Sequence, residues 1–234
     1  MNLSNRLDCV RSEYVGRMTR GQGELLQVVE AYVSAHSGKL LRPRMLLLAA
    51  ESLGPGQAES RRALLLAVAV EMLHNASLLH DDVIDRADTR RGHPSVNARW
   101  GNAAAVLVGD YLLAQIMQLL NELDDSDAAR LINATVAEMV EGELLALQLQ
   151  GRPATCEQYL RIVDGKTARL FATAAALGNP ALEAYGLHYG RLFQLLDDVA
   201  DGEATPWTAD LIADERRTLA ALAGKGICLD MPMQ

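Results

Sequence analysis

Apolar residues recur at helical spacing along almost all of the 234-residue chain. The alternation of apolar and polar residues that marks half-buried strands is absent from the sequence. Leu and Ala dominate the apolar half of the composition, and both favour helix. The pattern therefore predicts an all-α fold. The predicted helices cover residues 5–20, 22–36, 42–53, 57–86, 101–122, 127–150, 155–177, 179–202 and 208–223.

Short breaks rich in glycine and proline separate these helices. Because the connections are this short, consecutive helices are expected to pack antiparallel as a bundle. No linker is long or polar enough to divide the chain, so the sequence predicts a single all-α domain spanning residues 1–234. The breaks lie at residues 37–38, 54–56, 92–94, 151–153 and 178–180.

Composition excludes several classes of protein. The net charge of −8 argues against a nucleic-acid binder. The most apolar window, residues 63–80, contains Glu71, His74 and Asn75, which is typical of a buried helix and not of a transmembrane segment. The first sixteen residues have no apolar core, so they are not expected to act as a signal peptide.

The three cysteines favour a reducing compartment. Cys9, Cys156 and Cys228 lie far apart in the sequence and form no C-x-x-C pair. An odd number of isolated cysteines does not make a disulfide framework. We therefore expect a cytoplasmic protein.

A cluster of like charges ends the fourth predicted helix, in LLHDDVIDRADTRRGHP (78–94). On a helix, Asp81, Asp82 and Asp85 occupy neighbouring parts of one face. Two carboxylates about 6 Å apart repel by roughly 3 kcal/mol at an effective dielectric near 20. The C-terminal end of a helix is also the unfavourable end for negative charge. Such a cluster needs a compensating cation or raised pKa values.

The same pattern returns near the C-terminus as FQLLDDVAD (193–201), with Asp197, Asp198 and Asp201. Carboxylate oxygens without cysteine suit Mg²⁺ better than Zn²⁺. Mg²⁺ held by a few carboxylates usually shares its other positions with water and substrate phosphate. The arginine pair Arg90 and Arg91 supplies guanidinium groups that bind phosphate oxygens in a bidentate way. The motifs therefore predict a site for Mg²⁺ and a diphosphate.

Over about residues 38–201 the chain resembles the trans-isoprenyl diphosphate synthases, also called polyprenyl synthetases. The resemblance lies in GKLLRP (38–43), EMLHNASLLHDDVID (71–85), RRG (90–92), GNAAAVLVGDYLLA (101–114), GKTARLF (165–171) and FQLLDDVAD. It implies the type I isoprenoid synthase fold, a helical bundle around a central cavity.

The resemblance also implies a set of roles. Isopentenyl diphosphate is bound by Lys39, Arg42, His74 and Arg91. The allylic diphosphate is bound by Arg90, Lys166, Thr167 and Gln194. Several Mg²⁺ ions are held by Asp81, Asp82, Asp85, Asp197, Asp198 and Asp201. The catalytic residues are Asp81, Asp82, Asp85, Arg90, Lys166, Asp197 and Asp198.

The chemistry that the resemblance implies is prenyl-chain elongation. The allylic diphosphate ionises with the help of Mg²⁺, the double bond of isopentenyl diphosphate attacks the allylic cation, and proton loss gives a product one isoprene unit longer. Apolar walls exclude water from the cation. A homodimer is the implied assembly, and a heteromeric partner is the alternative.

Residues just before the first aspartate motif line the elongation tunnel in this family. Here Ala76 and Ser77 occupy the fifth and fourth positions before Asp81. Both are small, which resembles medium- and long-chain synthases. The tunnel floor is then expected deeper, at Met117 or Leu120.

The chain departs from the family pattern after about residue 202, where the resemblance implies a lysine-containing loop and several more helices. The expected lysine is missing, and Lys225 lies too late to replace it. Three explanations are a compact active variant, a subunit completed by a partner, and a truncated or frame-shifted remnant. Loss of helices exposes apolar surface, which favours association.

Three other functions remain open on the sequence. The first is a non-catalytic or partner-dependent subunit of a heteromeric synthase. The second is a terpene cyclase on the same fold, which would not need Lys39, Arg42 and Arg91. The third is an HD-type metal phosphohydrolase built on His36, His80 and Asp81, which leaves the second aspartate motif unexplained.

Overall fold

The structure, a computed structural model, describes residues 1–18, 23–35, 38–226 and 228–232. The all-α prediction is confirmed, because helices account for almost all regular structure in this part of the chain. The helices are α1 (Leu3–Met18), α2 (Glu24–Ala35), α3 (Leu41–Glu51), α4 (Arg61–Ile84), α5 (Val96–Trp100), α6 (Asn102–Leu123), α7 (Ser126–Leu149), α8 (Cys156–Val163), α9 (Arg169–Gly178), α10 (Glu183–Ala200) and α11 (Thr208–Gly224). There are 3₁₀ turns at Gln57–Glu59 and Pro180–Leu182 and a π-helical turn at Asp164–Ala168.

The structure corrects three details of the predicted helices. The predicted helices 57–86 and 179–202 each begin with a 3₁₀ turn, which is followed by α4 and α10, respectively. The predicted helix 155–177 is divided by the π-helical turn into α8 and α9. A short hairpin of β1 (Thr89–Arg90) and β2 (His93–Pro94) precedes α5, where the sequence showed neither strand nor helix. Residues 19, 20, 22 and 36 of the first two predicted helices lie outside the described residues.

The chain forms two compact units. Unit 1 comprises Met1–Arg44 and Glu59–Ser126, and unit 2 comprises Met45–Ala58 and Asp127–Gln234. Helix α3 begins in unit 1 and ends in unit 2. The single domain stays a prediction.

Unit 1 is built around α4. The side chain of Ser60 caps the helix by accepting from the backbone N–H of Ala63 over 3.1 Å. Helix α4 packs against α6 and α1, and most of its side chains are buried. The buried Arg17 of α1 donates to Glu122 of α6 over 2.8 Å, which ties these two helices together. The first aspartate motif is thus the end of the most enclosed helix of its unit.

Unit 2 is built around α10, which packs against α9, α11 and the π-helical turn. Phe171 and Tyr189 meet edge to face, with ring centroids 5.1 Å apart. A Cβ atom on Gly190 would lie 2.6 Å from the Cα of Ala168, so only glycine allows α10 to approach the π-helical turn this closely. The second aspartate motif ends this central helix.

Two helices of the described chain, α4 and α6, are long and apolar enough by composition to cross a membrane. In α4, 72% of the most apolar window is buried inside the structure, and in α6 the share is 50%. Leu65, Leu66 and Met72 of α4 are fully enclosed. The prediction that residues 63–80 form a buried helix is confirmed.

Candidate functional site: two aspartate helix ends and an arginine hairpin

The first aspartate motif ends α4 in a Schellman arrangement. The backbone N–H of Ala87 donates to the carbonyl of Asp82 over 2.9 Å, and that of Arg86 donates to Val83 over 3.3 Å. Arg86 adopts a left-handed conformation with φ of 54°. The last turn therefore stops sharply at Asp85, the C-cap residue.

The second motif ends α10 in the same way. The backbone N–H of Glu203 donates to Asp198 over 2.7 Å, and that of Gly202 donates to Val199 over 3.3 Å. Gly202 takes the left-handed position with φ of 77°. Asp201 is the C-cap residue. The repeat in the sequence is therefore also a repeat of local structure.

Burial follows the same order in both motifs. The middle aspartates, Asp82 and Asp198, are only 3% and 8% exposed. Asp81 and Asp197 are half-buried. The third members of the motifs, Asp85 and Asp201, are exposed. Each helix end thus presents its outer two carboxylates and encloses the middle one.

Asp82 is held by donors from the segment that follows it. Nε of Arg90 donates to Oδ1 of Asp82 over 2.8 Å, and a terminal N–H of the same guanidinium donates to the same oxygen. The side-chain amide of Asn97 donates to the backbone carbonyls of Asp82 and Ala87, both over 3.1 Å. Arg90 therefore supplies the opposite charge that the first cluster needs.

No three metal-binding side chains converge on one point among the described residues. The donors available at each helix end are nevertheless carboxylate oxygens, which is the ligand type that Mg²⁺ prefers. The outer carboxylates Asp81, Asp85, Asp197 and Asp201 are at least partly accessible to solvent. The residues present fit a Mg²⁺ ion, and the metal assignment of the six aspartates stays a prediction.

The arginine pair lies on the hairpin between α4 and α5. Arg91 and Gly92 form its two-residue turn with φ of 52° and 78°, the left-handed values that a type I′ turn requires. Such a conformation is unfavourable for arginine, and local strain of this kind concentrates at functional sites. The hairpin is fastened by Tyr32 of α2, whose hydroxyl donates to the carbonyl of Pro94 over 2.5 Å.

The turn brings Arg91 to two of the other predicted isopentenyl diphosphate segments. Nη2 of Arg91 lies 3.5 Å from Nε2 of His74. A Cβ atom on Gly38 would lie 2.7 Å from the same Nη2, so Gly38 leaves the space that the guanidinium occupies. Gly38 immediately precedes Lys39, which is exposed, and Arg42 lies buried in the first turn of α3.

Burial and positive charge set the protonation of this cluster. Burial lowers the pKa of His74 well below its usual value, and Arg42 and Arg91 lower it further. Burial raises the pKa of Glu71, while the same two arginines oppose that shift. Desolvation lowers the pKa of Arg91, which Glu71 partly offsets. Neutral His74 therefore has a lone pair to accept from Arg91.

In unit 2, the π-helical turn carries Lys166 and Thr167. π-helical turns occur frequently at functional sites. Asp164 at its start accepts from Nε and a terminal N–H of Arg191 over 2.6 and 2.7 Å, and this hydrogen bonding raises the pKa of Arg191. Thr167 is buried and Lys166 is exposed. The turn is therefore fixed to α10, while its lysine is accessible to a ligand.

A chain of hydrogen bonds joins the turn to the second aspartate motif. The hydroxyl of Thr167 donates to Oε1 of Gln194 over 2.5 Å, and Nε2 of Gln194 donates to Oδ1 of Asp198 over 2.7 Å. Tyr159 of α8 donates to Oδ2 of Asp198. Burial, and then the bond to Asp198, raise the pKa of the Tyr159 phenol. Thr167 and Gln194, which were predicted to bind the allylic diphosphate, are thus connected to Asp198, which was predicted to bind Mg²⁺.

The predicted tunnel residues lie on the enclosed part of α4. Ala76 is 1% exposed, and the hydroxyl of Ser77 donates to the carbonyl of His74 over 2.9 Å. Of the two candidates for the tunnel floor, Met117 is 60% exposed and Leu120 is buried. Leu120 is therefore the better candidate within this chain.

Sequence reasoning missed several residues of these clusters. Tyr159 and Asn97 contact predicted site residues and lie outside the motifs, whereas Glu71 begins the motif of residues 71–85 but was given no role. The sequence did contain a signal for Glu71, because a carboxylate in an apolar helix needs hydrogen-bonding or charged partners. Tyr159 had none, because its contact with Asp198 spans 39 residues.

The model of the polyprenyl synthetase family matches residues 23–213, which is well over half of the chain. An all-trans-nonaprenyl-diphosphate synthase (geranyl-diphosphate specific) of Rhodobacter capsulatus is 43% identical over 187 residues, which cover 76% of this chain and 57% of that relative. Component 2 of a heptaprenyl diphosphate synthase of Geobacillus stearothermophilus is 36% identical over 87% of this chain and 66% of that relative.

Among solved structures, a polyprenyl synthase from Caulobacter crescentus CB15, complexed with calcium and isoprenyl diphosphate, aligns with a TM-score of 0.79 and 34% identity. The alignment covers 83% of this chain and 62% of that one. The chain spans only slightly more than half the length of the first curated relatives that it matches. The predicted family and its all-α isoprenoid synthase fold are confirmed: the chain belongs to the polyprenyl synthetase family.

Proposed function

We propose that the chain is a trans-prenyltransferase that condenses isopentenyl diphosphate with an allylic diphosphate to make a longer polyprenyl diphosphate. The observation that carries this proposal is the approach of Arg91 to both Gly38 and His74. It brings together three segments that the sequence assigned to isopentenyl diphosphate. Lys39, Arg42 and Arg91 supply the cationic donors for that diphosphate, and His74 supplies a neutral imidazole beside them.

The allylic diphosphate is assigned to Arg90, Lys166, Thr167 and Gln194. Donors aimed at the leaving diphosphate stabilise the charge that develops when the C–O bond ionises. Lys166 supplies a cation, and the hydrogen bond from Thr167 fixes the side-chain carbonyl of Gln194. The double bond of isopentenyl diphosphate then attacks the allylic cation, and loss of a proton completes the elongation.

Mg²⁺ is the proposed cofactor, with several ions held by the six aspartates of the two motifs, of which Asp81, Asp85, Asp197 and Asp201 are the more accessible. The bound ions would neutralise charge on the diphosphate and so assist its departure. Asp82 and Asp198 complete the two clusters from their buried positions. The calcium in the related Caulobacter crescentus structure is an alkaline-earth ion with the same preference for oxygen ligands.

The small side chains of Ala76 and Ser77 favour a medium- or long-chain product. We place the protein in the cytoplasm, since Cys9, Cys156 and Cys228 are all free thiols. We further propose a homodimer, supported by exposed apolar side chains on long helices: Leu107 and Met117 on α6 of unit 1, and Val140 and Leu144 on α7 of unit 2.

A second candidate is a subunit that needs a different partner. The observation that favours it is the similarity to component 2 of a heptaprenyl diphosphate synthase. In that case the same residues bind substrates, and the partner completes the enzyme. No finding favours a terpene cyclase. His36, on which the phosphohydrolase interpretation depends, lies outside the described residues.

An incorporation assay tests the proposal. The purified chain is incubated with Mg²⁺, farnesyl diphosphate and labelled isopentenyl diphosphate, and the products are sized after phosphatase treatment. Polyprenols of defined length are expected from the chain alone. Activity that appears only when a cell extract is added would support the partner-dependent subunit. No incorporation under either condition, by a folded sample, would contradict both.

A further inference from the structure

Tyr159 is hydrogen-bonded to the second aspartate cluster, although it lies outside the sequence motifs. Its hydroxyl donates to Oδ2 of Asp198, and the amide of Gln194 donates to Oδ1 over 2.7 Å. Asp198 is only 8% exposed. Both carboxylate oxygens therefore have a protein donor, and the plane of the carboxylate is fixed.

The donors at the two motifs differ in charge. Asp82, the middle residue of the first motif, is paired with the guanidinium of Arg90. Asp198, at the equivalent position of the second motif, is held by two neutral donors. A neutral donor orients a carboxylate without cancelling its charge, whereas a guanidinium does both. Asp198 therefore keeps its negative charge available to a cation bound beside it.

The start of α11 lies beside this tyrosine. Thr208, the first residue of α11, is close enough to the Tyr159 hydroxyl to oppose the rise of its pKa. Thr208 is buried, and its hydroxyl accepts from the backbone N–H of Thr205 over 2.8 Å. The chain that leaves the second motif therefore returns close to the hydroxyl of Tyr159.

We propose that Tyr159 is a positioning residue that holds the carboxylate of Asp198 in a fixed orientation for binding of a metal–diphosphate complex at the second aspartate cluster. The inference rests on the proposed function, since it requires that Asp197, Asp198 and Asp201 take part in metal binding. Tyr159 acts through Asp198 and does not itself contact the diphosphate.

The test compares two tyrosines of unit 2 that each lose only a hydroxyl. Tyr159→Phe removes the donor to Asp198. Tyr185→Phe is the matched control, because the Tyr185 hydroxyl donates over 3.0 Å to the backbone carbonyl of Leu229, away from the aspartates. Calorimetry with Mg²⁺ and inorganic pyrophosphate measures binding without requiring turnover, and circular dichroism checks the fold of each variant.

We expect Tyr159→Phe to weaken Mg²⁺–pyrophosphate binding about tenfold, the value of one hydrogen bond to a charged group, and Tyr185→Phe to leave it unchanged. Equal affinities in wild type and Tyr159→Phe would overturn the inference and leave the proposed function standing. Absence of binding by the folded wild type would overturn the proposed function and the inference together.

A double-mutant cycle tests whether Tyr159 acts through Asp198. Once Asp198→Asn has removed the charge, adding Tyr159→Phe should cause no further loss of affinity. Additive losses would overturn the positioning role. If Tyr159→Phe does not fold, Tyr159→Leu serves instead, because it removes the same donor to Asp198 and leaves an apolar side chain in its place. Weaker binding by that variant supports the inference, and wild-type affinity overturns it.

Discussion

Arg91 and His74 lie 17 residues apart in the sequence, yet the guanidinium Nη2 of one is 3.5 Å from the ring Nε2 of the other. The left-handed turn of the hairpin produces this contact, and the missing side chain of Gly38 leaves room for it. The guanidinium of Arg91, the neutral imidazole of His74 and the space next to Gly38 are therefore adjacent in unit 1.

Replacing Gly38 with alanine should displace Arg91. The added Cβ would lie 2.7 Å from Nη2, and the flexible end of the arginine is the part that can move. We expect affinity for isopentenyl diphosphate to fall about tenfold while the free energy of unfolding changes by about 0.5 kcal/mol or less. Gly16→Ala is the control, since nothing lies within 4 Å of its added Cβ. Equal affinities for the two variants would contradict the placement of Arg91.

Removing Arg90 should destabilise the protein. Arg90→Ala leaves the enclosed Asp82 without its charged donor, which costs about 2–3 kcal/mol in the free energy of unfolding. Urea denaturation measures the loss. Adding Asp82→Asn to the same chain removes the unpaired charge and should restore part of the lost stability. A double variant no more stable than Arg90→Ala would show that Asp82 does not depend on this arginine.

The pKa of His74 predicts a pH dependence of stability. The pKa of His74 in the folded protein lies well below 6.5. As the pH falls through 6.5, the unfolded chain therefore takes up a proton on His74 that the folded protein does not bind. Stability contributed by His74 is therefore complete above that pH and is lost below it, with a slope of at most about 1.4 kcal/mol per pH unit. His74→Gln should flatten the curve of unfolding free energy against pH between about pH 5 and pH 7. Parallel curves for variant and wild type would contradict the neutral imidazole.

Ala76 should control product length. Its side chain is 1% exposed on α4, one turn before the first aspartate motif. In Ala76→Phe the larger ring must fill space ahead of the motif, so the products should be shorter than those of wild type. Leu53→Ala is the control, because its side chain is 56% exposed and has no predicted role. Product sizing after phosphatase treatment measures both, and an unchanged length in Ala76→Phe would refute this tunnel geometry.

Long helices were predictable because their apolar periodicity extends over many turns. The ends of α4 and α10 were predictable for a second reason, since a charged motif and a following glycine interrupt the apolar pattern of each helix. The hairpin between α4 and α5 was missed. Its strands have two residues each, so no alternation at period two can develop.

The π-helical turn was missed because it adds one residue to a turn without interrupting the apolar pattern of α8 and α9. The bond from Tyr159 to Asp198 was missed for a different reason. It depends on the packing of α8 against α10, which local sequence does not encode. Motifs identified which residues carry the chemistry, and packing determined which neutral side chains orient them.

Calorimetric titration of isopentenyl diphosphate into the wild-type chain, Arg91→Ala and Arg130→Ala tests the central claim most directly. Arg130 is the matched arginine, because its side chain is 77% exposed and pairs with Asp127 at the start of α7. Saturable binding by wild type and Arg130→Ala, lost in Arg91→Ala, is the predicted result. Equal binding by all three proteins, or none by the folded wild type, would contradict the assignment of the Gly38–His74–Arg91 cluster to isopentenyl diphosphate.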